Sequence, residues 1–191
     1  MAILEKARYR ATACALASFL LLFVLPVVSA AQNKEENPEV SQLLQQARDK
    51  AAAVSRDADE METLTRSDVS WQTHASWLET MKDDVNDLAK YVEKLTAARN
   101  SASPWQQQAI DRMLPLMREL ASNTTAAINH LKQERTRPMT PEYAEYLRQN
   151  SETARELSDM ISSFVQYGQT RAKLDRLEQK LELGTGKRAS Q

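Results

Sequence analysis

"PEVSQLLQQARDKAAAVSRDADEM", residues 38 to 61, decides the fold. Val40, Leu44, Ala47, Ala51, Val54, Ala58 and Met61 recur in alternating steps of four and three. That spacing draws one apolar stripe down an α-helix and is the signature of the seam between packed helices. The start of the stripe is marked as well. Asn37 can accept a hydrogen bond from an orphan backbone N–H. Pro38 then stands at the first helical position, where a missing N–H costs nothing.

The same device recurs at Ser103-Pro104-Trp105 and at Thr140-Pro141-Glu142, and Ser103 with Gln106 fits a capping box. Three further seams follow. One runs Trp71, His74, Leu78, Met81, Val85, Leu88, Val92, Leu95. The next runs Met113, Met117, Leu120, Thr124, Ala127, Leu131. The last runs Asn150, Ala154, Leu157, Ile161, Phe164, Gly168. No glycine precedes Gly168, which argues against tight hairpins, since these need residues at positive φ. The first two seams do not join in phase, so a turn is expected near residues 66 to 69, with Thr65, Ser67 and Asp68 as candidate caps. The expected helices are 38–66, 69–99, 104–136 and 141–183. Short connections make sequential helices antiparallel. The fold expected is therefore all-α: an antiparallel up-down-up-down four-helix bundle with a long fourth helix. Pro115 should bend the third helix without ending it.

The first 30 residues are read apart from the bundle. A basic start with Lys6, Arg8 and Arg10, an apolar run from Ala11 to Val28 and small residues around Ala30 make a cleavable secretory signal peptide. Its removal leaves a short segment 31–37, the bundle 38–183 and a disordered tail 184–191. An exported protein with no membrane span after cleavage is expected, in a periplasm or outside the cell. Cys14, the sole cysteine, lies inside the signal. The remainder can form no disulfide, thiolate metal site or cysteine nucleophile. It carries 22 basic against 25 acidic residues, a net charge of −3. With no basic block, nucleic acid is not an expected partner.

The fourth helix outruns the others by about 18 Å at the helical rise. The excess places Leu174, Leu177 and Leu181 on one stripe, with Gly184 as the expected C-terminal stop. An apolar stripe beyond a bundle suits a protein partner, a homodimer or the N-terminal segment folded back.

"SWQTHASWLE", residues 70 to 79, sets His74 between Trp71 and Trp77. Counting along antiparallel helices brings Met61, His130, Tyr143 and Tyr146 to the same end of the bundle. A b-type haem needs His or Met ligands and a slot between helices; His74, His130 and Met61 are the candidates. In this the chain resembles the haem-binding four-helix cytochromes of the b type. In that family the ligands come from the first and last helices, whereas both histidines here lie on the middle two. A zinc site would add Glu134 to the histidines. A di-iron site needs Glu-x-x-His pairs, and residues 71 and 127 are Trp and Ala. The plainer reading is a polar layer, with His74 bonded to Tyr146 or Asn150 and the tryptophans closing the end. Met81, Met113, Met117 and Met160 read as core filler. The sequon at Asn123 falls mid-helix, an improbable acceptor. None of the motifs HExxH, P-loop, GxGxxG or GxSxG occurs. The function expected is that of an exported, non-enzymatic scaffold or protein-binding module of the cell envelope, with no cofactor. The rival is a small-ligand or haem-binding bundle using the His74/His130 end.

Overall fold

A computed structural model describes residues 35–65, 69–135 and 139–181. The expected signal peptide, residues 66–68, Gly184 and the expected tail lie outside the described residues. The helices are α1 (Pro38–Leu64), α2 (Trp71–Ala98), α3 (Pro104–Gln133) and α4 (Pro141–Lys180), with one 3-10 turn, Arg99–Ser101, between α2 and α3. Each helix packs on the two beside it, in the cyclic order α1, α2, α3, α4. Connection lengths and cross-helix bonds fix the directions. α1 and α2 pack on one another across a connection of only six residues, 65–70, so they run antiparallel, with Lys50 bonded to Asp84 and Asp87 midway along the pair. Asp59, late in α1, accepts from Ser151 and Arg155, early in α4. The architecture is the all-α four-helix bundle expected from the seams.

The helix starts follow the caps. Asn37 accepts from the backbone of Glu39 and Val40, and Thr140 accepts from Tyr143. Ser103 and Gln106 form a capping box. Ser70 caps α2 by accepting from Thr73, so α2 begins at Trp71 rather than at residue 69. Thr65 ends α1: its hydroxyl donates to the Glu62 carbonyl at 2.6 Å. α1 and α2 are thus two helices, as the break in phase requires, and α1 stops at Leu64 rather than at 66. The C-terminal ends of α3 and α4, Gln133 and Lys180, each come three residues short of expectation.

The seams of α1 and α2 are buried throughout except at Trp71, which is half-buried, and the α3 seam is buried from end to end. α4 differs at one position. Val165 is in the core, and Phe164 is only half-buried. α3 runs through Pro115, whose ring is exposed. Proline leaves the carbonyl four residues earlier, that of Asp111, without its helical donor, and Asp111 is itself exposed to water. Asn123 presents a buried side-chain amide nitrogen to the interior of the helix packing, so it offers no glycan acceptor in the folded state.

Gln106 ties two helix starts together. Fully buried, it donates to the Asn37 carbonyl at 2.8 Å and to Ser41 Oγ at 2.9 Å. Its Oε1 accepts from the backbone N–H of Asn37 at 3.1 Å and of Ser103 at 2.9 Å. A buried amide has few other ways to satisfy its hydrogen-bonding capacity, and here all of it serves the N-termini of α1 and α3.

Candidate functional site

Two regions of the bundle stand out, one at each end of α4. At the first, His74 is 0 % exposed. Its Nδ1 lies 3.3 Å from the Tyr143 hydroxyl, a hydrogen bond in which either group can donate according to the imidazole tautomer. The rings meet edge to face with centroids 5.5 Å apart. Tyr143, also 0 % exposed, stacks on His130 at 5.6 Å and 22°. His130 Nε2 is 2.9 Å from Thr140 Oγ1, the hydroxyl that caps α4.

The partner of His74 is therefore Tyr143, neither Tyr146 nor Asn150. Tyr146 donates to Glu142, one turn back. Asn150 Oδ1 accepts from Thr124 Oγ1 at 3.4 Å, a layer further along the bundle. Trp71 and Trp77 are half-buried and pack against the core, with the Arg135 guanidinium 5.5 Å over the Trp71 ring. Met139, in the loop before α4, is exposed.

Burial sets the chemistry here. It pushes the Tyr143 phenol well above its usual value, and it lowers the His74 pKa below the ordinary 6.5, because a charge in apolar surroundings is poorly solvated. Both groups are neutral at pH 7. His74 Nε2 is buried with no hydrogen-bond partner among the described residues. Met61, the third candidate ligand, is fully buried in the hydrophobic core. The structure thus joins His74 to His130 through Tyr143 and leaves Met61 among apolar side chains. Among the described residues no three His, Cys, Asp or Glu side chains converge on a metal-sized space.

The second region is the far end of α4. Core packing stops at Gly168, where a Cβ would lie 2.7 Å from Trp105 Cη2. Beyond it α4 continues for twelve residues, 169 to 180, about 18 Å. Leu174, Leu177 and Leu181 are 54 %, 45 % and 62 % exposed, which is where the sequence placed them. Next to this overhang a groove of about 950 Å³ opens between α3 and α4. Its apolar lining is Trp105, Met160, Phe164 and Tyr167, and Tyr167 is 48 % exposed. Trp105 meets Tyr167 edge to face at 5.7 Å, and Arg112 lies 6.0 Å over the Phe164 ring. Met160, expected as core filler, is a wall of this groove.

The groove could not be read from residue spacing. Phe164 sits one residue from Val165, and a step of three or four from Ile161 reaches either. The spacing alone could not say which faces inward.

A third cluster bridges α1 and α2. Lys50 Nζ is 3.0 Å from Asp84 and 3.3 Å from Asp87. Asp57 is pushed up to about 6, first by burial and then by its hydrogen bond with Asp84 and that group's charge. Asp84 is held below the usual carboxylate range by the Asp57 hydrogen bond and by Lys50. This arrangement lets two carboxyls share a proton at the helix interface.

Fold and surface define a class: an all-α four-helix bundle with a His–Tyr–His ring cluster at one end and, at the other, an apolar stripe exposed among the described residues. Among the described residues, no helix is long and apolar enough to cross a membrane. Comparison with family models, with curated proteins and with solved structures finds no match in any of the three.

Proposed function

We propose that the protein is an exported, non-enzymatic scaffold or binding module of the cell envelope, and that it engages a protein through the overhang of α4. The observation that carries this reading is the exposure of Leu174, Leu177 and Leu181 along one side of a helix that has left its own core. Exposed leucines are common singly. A row of them beside an apolar groove is the kind of patch that marks an interaction surface. The His74 end supports a structural role in the same reading. Its histidines are joined to Tyr143 and Thr140, groups that hold α2, α3 and α4 in register.

The test is a photo-crosslinking residue at Leu177 in the cells that make the protein. A covalent adduct, of whatever mass, supports an association surface. Absence of any adduct, with the chain folded and exported, overturns it.

A second reading is favoured by one atom. The buried, unpartnered Nε2 of His74 could serve a small ligand or a b-type haem at the His74/His130 end. Haem reconstitution of the purified protein, read by its Soret band, tests this. A band lost in His74→Leu supports the second reading, and no uptake removes it.

A further inference from the structure

We draw no further inference here: the strongest candidate, the exposed leucine stripe of the α4 overhang with the α3/α4 groove beside it, is the association surface already described, and nothing in the structure shows what covers it.

Discussion

The six-membered ring of Trp105 lies against the bare Cα of Gly168: a methyl group there would stand 2.7 Å from Cη2 and 2.9 Å from Cζ2. This contact joins the first turn of α3 to the last buried turn of α4. It also marks where α4 leaves the bundle.

Gly168→Ala is the first prediction. Alanine gains about 1 kcal/mol of helix propensity over glycine. Overpacking against a buried indole costs about 1–3 kcal/mol, and the rigid ring, itself 93 % buried, cannot swing aside. The net expectation is a loss of up to about 2 kcal/mol, measured by urea unfolding. A stabilised variant would show that the indole can shift.

The seams of α1 and α2, and of α3 from Met113 onward, could be read from spacing because each turns one narrow face inward; the first turns of α3 instead bury the adjacent pairs Trp105/Gln106 and Ala109/Ile110. α4 defeats the method. It buries Tyr143, Leu147, Ser151, Thr153 and Ser158 beside its seam, a band wider than a three-four pattern describes. At Phe164 and Val165 two adjacent apolar residues compete for one inward place. The His74 end was legible as a level in the bundle, since helix rise alone brings His130, Tyr143 and Tyr146 there. The bonding partner was not. Tyr143 is on the buried face of α4, whereas Tyr146 is only half-buried and donates to Glu142, and that difference of face, rather than of level, decides between them.

His74→Leu tests the polar layer. It removes a desolvated imidazole with one unpartnered nitrogen but leaves the Tyr143 hydroxyl buried alone, a cost of about 1–3 kcal/mol. The single variant should fold with a slightly lower Tm. His74→Leu/Tyr143→Phe removes both polar groups and should recover that loss or exceed it. A double variant much less stable than either single would mean the pair contributes more than register.

The same histidine makes the fold sensitive to acid. Its folded pKa lies below the ordinary 6.5, so the unfolded chain takes up a proton before the folded chain does. Stability from neutral His74 is full above about pH 6.5. It falls as pH drops, until the folded imidazole is itself protonated. Tm measured from pH 7.5 to 5 should decline less steeply in His74→Leu than in the wild type.

Asp57 works in the opposite sense. Its folded value, about 6, lies above its ordinary 3.8, so the folded chain retains a proton that the unfolded chain has released. This contribution is full below about pH 4 and is lost as pH rises through about 6. Asp57→Asn keeps a donor to Asp84 at every pH, so its Tm should exceed the wild-type value more at pH 8 than at pH 4.5. Equal differences at the two pH values would mean that no proton is shared.

Gln106→Ala should be the most damaging change outside the apolar core. Two backbone N–H groups, those of Asn37 and Ser103, lose their acceptor, and the Asn37 carbonyl loses a donor. At about 1–3 kcal/mol for each stranded group that water cannot reach, a loss of at least about 2 kcal/mol is expected by chemical denaturation. Gln106→Glu should recover only the acceptor half.

Helix ends ordinarily fray one by one, each on its own timescale. The Gln106 amide ties the opening turn of α1 to that of α3, 69 residues further along the chain, so neither can open without breaking the other's bonds. In amide hydrogen exchange the first turns of these two helices should therefore behave as a single cooperative unit. The opening turn of α1 is thus held to α3 by the hydrogen bonds of one side chain from the middle of the sequence.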